Sequence, residues 1–120
     1  MPGKRRSGVA RAEQRRTQLL AALPDLQQVL RGTLVTRYRR CGRPSCHCAG
    51  PQDPGHGPAY YLMVTTRPGR TLQIYVPRKH KRQVETWIRN FQRTRRTVEA
   101  ISTLNRGLLR QGTLFEADSG

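Results

Sequence analysis

Acidic residues are scarce in this chain of 120 residues: seven Asp and Glu stand against 23 Lys and Arg, a formal net charge of +16. That scarcity excludes most chemistry built on paired carboxylates, and no two acids fall at a spacing that makes a catalytic pair. Aromatics are 6% and hydrophobic residues 35%, so the core is lean and needs a staple or a partner chain. No apolar run approaches the roughly 18 residues needed to span a bilayer. The opening MPGKRRSGVARAEQRR is charged with no apolar stretch behind it, unlike a secretory signal. A cytoplasmic chain, away from membranes, is therefore expected. Phosphate-binding G-x-G-x-x-G and P-loop patterns are missing as well. Tyr38 amid arginines (RYRR) resembles a recombinase nucleophile only in passing, because 120 residues leave little room for the rest of such a site. The expectation is a protein that is not an enzyme.

What the chain does have is positive charge, and it is spread out. Six basic residues lie in 1–16, five in 31–43, six in 67–82 and six in 89–110. A solubilising surface needs a net charge of only about 2–8. The excess points to a polyanion, and nucleic acid is the expected partner.

Three cysteines cannot all pair within one chain. Cys41, Cys46 and Cys48, with His56 after them, form C-x4-C-x-C-x7-H. In a reducing compartment such a cluster reads as a metal site, and three thiolates with one imidazole suit tetrahedral zinc in a structural role. His47 is the rival fourth ligand; His56 is preferred because a longer loop closes the tetrahedron with less strain. Gly42, Pro44, Gly50, Pro51, Pro54, Gly55, Gly57 and Pro58 suit a tight loop with little apolar matter to hold it otherwise. A fully ligated site leaves no position for a substrate.

The pattern predicts an α+β fold: N-terminal helices, a small antiparallel three-stranded sheet with a zinc-stapled loop, and a long C-terminal helix. Residues 1–8 read as a basic tail and 9–112 as a single domain. Within that domain, 9–31 are helical, 33–76 are sheet and zinc loop, and 78–111 are one long helix. Residues 113–120 read as a frayed tail. Val9, Ala12, Leu19, Leu23, Leu26 and Leu30 make a heptad stripe with Arg16 as its polar step. Pro24 should break or kink it at Leu23–Pro24, and Arg31-Gly32 should end it. Strands are expected at 33–39, 59–66 and 71–76, the last two joined by a turn at Arg67-Pro68-Gly69-Arg70. In the long helix, Val84, Phe91, Val98 and Asn105 take a positions, and Trp87, Thr94, Ile101 and Leu108 take d positions. A lone Asn at a is a device for fixing register. The stripe predicts either a homodimer through this helix or antiparallel packing on the N-terminal helices.

Eleven basic residues are candidate nucleic-acid contacts. Arg37, Arg39, Arg40 and Arg43 surround the start of the loop; alternation is expected to put Arg37 and Arg39 on one face, with Val35 and Tyr38 on or near the other. Arg78, Lys79, Lys81 and Arg82 sit at the start of the long helix, where cations oppose the helix dipole but suit a phosphate. Arg89, Arg93 and Arg96 share one face farther along. Tyr60, Tyr61 and Tyr75 offer rings to unpaired bases.

The segment RGTLVTRYRRCGRPSCHCAGPQDPGHGPAYY, residues 31–61, resembles a family of small uncharacterised bacterial proteins, a domain of unknown function. Its shared core is R-G-[ST]-L-V-x-R-Y-R-x-C-G-[KR]-P-x-C-x-C-A, followed by G-H-G-P and an aromatic pair. The resemblance continues weakly through a hairpin, the step Val76-Pro77 and a long helix. It implies a Cys3His site and a setting in transposons and other mobile elements, with a larger recombinase or nuclease as partner, and it supplies no reaction. The rival expectation is a protein–protein adaptor whose zinc is purely structural.

Overall fold

The computed structural model describes the backbone of residues 2–113 and the side chains of 8–113. The order is helix α1 (Pro2–Ala21), strand β1 (Thr33–Arg39), a 3-10 turn (His47–Ala49), strands β2 (His56–Arg67) and β3 (Arg70–Val76), a 3-10 turn (Arg78–His80), and helix α2 (Lys81–Arg110). This is the expected α+β arrangement. The described residues group into two compact units, one of 2–28 with 90–113 and one of 29–89.

In the first unit α1 runs antiparallel to the far part of α2. Val9, Ala12 and Leu108 form its buried core. The polar step of one stripe meets the polar step of the other: Arg16 donates to the Asn105 side-chain oxygen at 2.8 Å. Nearer the loop, Arg93 donates to the Ala22 carbonyl at 2.8 Å and Asn90 to the Gln28 carbonyl at 2.9 Å. Along these bonds one segment ascends (Arg16, Ala22, Gln28) as the other descends (Asn105, Arg93, Asn90), the order of an antiparallel pair.

Two helical expectations need correction. The helix begins at Pro2, so residues 2–8 are not a tail; proline suits a first helical turn because its missing N–H has no partner there anyway. Residues 22–31 are not helical. Leu23, preceding proline, is pushed away from the α region, and the helix closes with Ala22 and Leu23 N–H groups on the Leu19 and Leu20 carbonyls. The Asp25 carboxylate then accepts the Gln27 N–H at 2.9 Å, a turn that competes with helix. Leu26 is left 55% exposed. At the other end Thr113 still donates to the Leu108 carbonyl, and the rest of the expected frayed tail lies outside the described residues.

The second unit is the sheet, in the order β1-β2-β3, antiparallel throughout. Pairing runs Val35↔Tyr61↔Tyr75 and Leu34↔Leu62↔Ile74. Leu62 and Val76 are buried and lie on one face. The hairpin is as expected, with Arg67 opposite Arg70 and Gly69 at φ +77°, a conformation glycine takes without penalty. Between β3 and the helix, Pro77 accepts the His80 N–H and the chain turns into α2. The first turns of α2 belong to this unit, where the Leu30 N–H donates to the Trp87 carbonyl at 3.0 Å.

Candidate metal centre and basic surface

The loop between β1 and β2 carries Cys41, Cys46 and Cys48, and β2 opens on His56. The Cys48 thiol is buried and the Cys41 thiol exposed. Their donor atoms and the His56 ring nitrogen all lie within 4.8 Å of one another. Cys41 Sγ is 3.5 Å from Cys48 Sγ, and Cys46 Sγ is 3.1 Å from His56 Nε2. The Cys41 backbone N–H points at Cys48 Sγ, 3.4 Å away. Four donors converging this closely, three sulfurs and one imidazole, can hold one metal ion.

The electrostatics favour thiolate at the mouth of the loop. The Arg43 backbone N–H, then the His56 ring and the Cys48 thiol, bring the Cys41 thiol from 9.0 down to about 6. For Cys48 the Cys41 N–H acts to lower the pKa, but desolvation and the neighbouring Cys41 and Cys46 sulfurs together push it up. A cation among the sulfurs removes that conflict, because the ligating form is the anion.

His47 stands outside the four-donor group. Its Nδ1 lies 2.9 Å from Asp53 Oδ2, its side chain is 64% exposed, and its ring meets the His56 ring edge-on at 4.9 Å. Asp53 was not anticipated, although an Asp two residues before a Gly in D-P-G-H is the usual signal of a side-chain turn. Its other oxygen accepts the Gly55 N–H at 2.8 Å, and the His47 bond, with that N–H next, holds its carboxyl below the ordinary 3.8. Asp53 thus fixes the turn that delivers His56. Glycine is required there: at Gly55, φ is +104°, and a Cβ would sit 2.9 Å from the Arg39 carbonyl oxygen.

Arg40 has a different task from the one expected of it. Its guanidinium donates to the carbonyls of Cys48, of Gly50 at 3.1 Å and of Asp53 at 2.6 Å. It is the inner brace of the loop. Its donors there face protein and not phosphate.

The other basic candidates divide by position. Arg37 pairs opposite Ala59 and Arg39, past a shift in register, opposite His56; both border one cleft on the face that carries Tyr61. Val35, two residues before Arg37, is on that same face; the expectation that it lay opposite fails on the two-residue period of a strand. Arg43 is exposed on the loop. Arg78 and Lys79 occupy the turn before α2, and Lys81 and Arg82 open it. Lys81 Nζ sits 4.8 Å from the Tyr60 ring centre and 3.8 Å from Glu85. Arg89 donates to Thr86 at 3.2 Å. Arg93 and Arg96 belong to the first unit. There Arg93 is engaged with Ala22, and Arg96 is exposed.

Because β3 runs parallel to β1 on the far side of β2, both strands finish at one end of the sheet. Arg37 is opposite Ala59, and Val76 is opposite Tyr60. The two chain segments that leave this end, one into the cysteine loop and one into Arg78–Arg82, start about two strand spacings apart, roughly 10 Å.

No helix among the described residues is long and apolar enough to cross a membrane. The model of the family described as Domain of unknown function (DUF6788) matches residues 9–86. No curated protein and no solved structure matches.

Proposed function

The chain belongs to the DUF6788 family, and from that premise we propose that it is a non-catalytic nucleic-acid-binding accessory protein stapled by structural zinc. The observation that carries this reading is the meeting at one sheet end of the four-donor cluster and two basic segments, Arg37–Arg43 and Arg78–Arg82. Zinc is the metal of choice because three thiolates and an imidazole are its ligand set. A tetrahedron with bonds of about 2.0–2.3 Å has edges of about 3.5–3.8 Å, near the 3.5 and 3.1 Å between paired donors here. Bound there, zinc supplies a cross-link, since four protein donors leave no open coordination position.

Cys41, Cys46, Cys48 and His56 hold the loop against the strand ends, and Arg40 braces it from inside. Arg37, Arg39, Arg43, Arg78, Lys79 and Arg82 are then presented from a fixed frame. Phosphates are their ligand, because cations held at fixed spacing position a nucleic-acid backbone, and such contacts carry no sequence information by themselves. The motif of residues 31–61 supports a bacterial mobile-element setting, and in such a setting the chain acts alongside a larger recombinase or nuclease.

A second reading, an adaptor or homodimer through α2, draws on one observation. Val98 is 60% exposed and Leu109 64% exposed on α2, with Leu20 at 55% on α1, apolar surface left over after the two helices pair. Salt separates the readings. If each basic segment neutralises two or three phosphates, log affinity against log salt falls with a slope of roughly −3 to −5, from about −0.7 per phosphate on single strands and about −0.9 on duplex. The variant Arg37→Ala/Arg39→Ala should flatten that slope by about 2 units. An apolar contact through α2 would show little salt dependence, and a chain that binds no duplex, single strand or RNA at low salt is an adaptor.

A further inference from the structure

The two faces of the sheet differ. On one, Leu62 and Val76 are buried and Lys81 lies over Tyr60. On the other, Tyr61 and Tyr75 face each other across β2 and β3, ring centres 5.8 Å apart at 67°. The Arg37 guanidinium lies 5.7 Å from the Tyr61 ring centre. These three side chains make a row from β1 to β3. Tyr75 is 60% exposed, too open to serve as core filling. Beside the row is a cleft of about 470 Å³, bordered by Arg37, Arg39, His56, Tyr61 and Gln73. One of its walls is therefore the imidazole of the four-donor cluster.

We propose that this face is a stacking platform for an unpaired nucleotide strand, with Tyr75 and Tyr61 receiving base faces and Arg37 and Arg39 the adjoining phosphates. The proposal rests on the nucleic-acid reading above and gives it a substrate class. Charge selects the occupant. Residues 29–89 hold twelve Lys and Arg against two acids, Asp53 and Glu85. Neither acid borders the cleft: Asp53 is tied to His47 and Glu85 lies by Lys81. A ligand that is both polyanionic and rich in flat apolar rings is nucleic acid. In a duplex those rings are covered by their neighbours, so a tyrosine face can be used only by bases that are unpaired. The cleft volume is within the range of about 300–1,000 Å³ typical of small-molecule sites, room for a nucleotide. Stacking reads the base face and not the sugar, so DNA and RNA strands share the chemistry.

The test compares the intact, zinc-loaded chain with Tyr75→Ala and Tyr75→Phe on three probes of equal length: oligo-dT, oligo-U and a mixed-sequence duplex. Tyr75 is exposed, so its truncation should leave the fold intact. Tyr75→Ala should lose about tenfold or more in affinity for single strands, with duplex affinity and salt slope unchanged, and Tyr75→Phe should retain wild-type binding. A 2-aminopurine base in the DNA strand should be quenched by wild type and not by Tyr75→Ala. Binding of only one of the two single strands by the wild type assigns the strand to DNA or RNA, and loss of that binding in Tyr75→Ala supports the platform. Equal loss on duplex and single strand, or single-strand binding unaffected by Tyr75→Ala, overturns the platform while leaving the nucleic-acid reading standing. Failure of the wild type to bind any probe overturns both.

Discussion

Replacing Arg40 by alanine should damage the metal centre more than the nucleic-acid surface. Its guanidinium reaches the carbonyls of Cys48, Gly50 and Asp53, three points spread over the loop that carries Cys46 and Cys48 and leads to His56. A hydrogen bond from a charged donor is worth about 1.5–3 kcal/mol. The Gly50 and Asp53 contacts are exposed, so the three together are taken as one full bond and not as a sum. Order in the loop and metal affinity are one free energy when the site is not preformed in the unfolded chain. At about 1.4 kcal/mol per factor of ten, Arg40→Ala should weaken zinc binding about 10- to 100-fold, the range usual for groups that orient ligands. Arg40→Lys should recover little, because an ammonium lacks the planar fork that spans three acceptors. Competition with a chromophoric chelator measures this, with Arg39→Ala as the control that keeps its zinc. Zinc affinity within twofold of wild type in Arg40→Ala, together with a flattened salt slope, would refute the brace and return Arg40 to the phosphate-binding set.

Three further outcomes follow from particular contacts. His56→Ala should abolish stoichiometric zinc binding, whereas His47→Ala should keep it, because only His56 reaches the sulfurs; metal analysis after gel filtration decides between them. Gly55→Ala should cost about 1–3 kcal/mol in backbone strain, given its φ of +104° and the 2.9 Å approach to the Arg39 carbonyl, and should lower zinc affinity, while Gly42→Ala, which carries the strain of a φ of +80° but meets no atom within 4 Å, should cost less in the same titration. Asn105→Ala should lower stability to urea by roughly 1–2 kcal/mol, since it removes one acceptor of the Arg16 guanidinium; an unchanged midpoint would mean the bond contributes nothing net over hydration.

The elements most readable in the sequence were those with strong local chemistry. The hairpin was marked by Pro68-Gly69 between two β-branched runs, and the donor cluster by the spacing of Cys41, Cys46, Cys48 and His56. The long helix expected from Arg78 was marked by the lack of proline beyond Pro77, and it forms from Lys81 after one 3-10 turn. Residues 22–31 misled because their leucines keep a heptad step while the backbone is decided by Pro24 and the Asp25 carboxylate. The stripe holds only within α1, where Val9 and Ala12 are buried; Leu23, Leu26 and Leu30 fall beyond the helix and Leu26 is exposed. Arg16 and Asn105 were visible as polar interruptions of two stripes; that they interrupt for each other depends on the pairing of distant segments, which no local pattern carries. The same limit hid the brace. Arg40 is one of four arginines within 37–43, and composition cannot tell the one turned into the loop from those turned to solvent. Gln73 went unnoticed for a related reason: its place in the cleft follows from strand register, which fixes the face of every residue at once.

The central claim is that metal and nucleic-acid binding are one structural property of residues 29–89. Its most direct test is a salt titration of binding to single-stranded and duplex DNA, performed on the zinc-loaded chain and again after chelation with the thiols kept reduced. The account predicts a slope of roughly −3 to −5 with zinc bound, and an affinity at least tenfold weaker with a shallower slope once zinc is removed, both restored by adding zinc back. Equal affinity and slope with and without the metal would contradict it, because the positive charge would then act as a solvated polycation that needs no stapled frame.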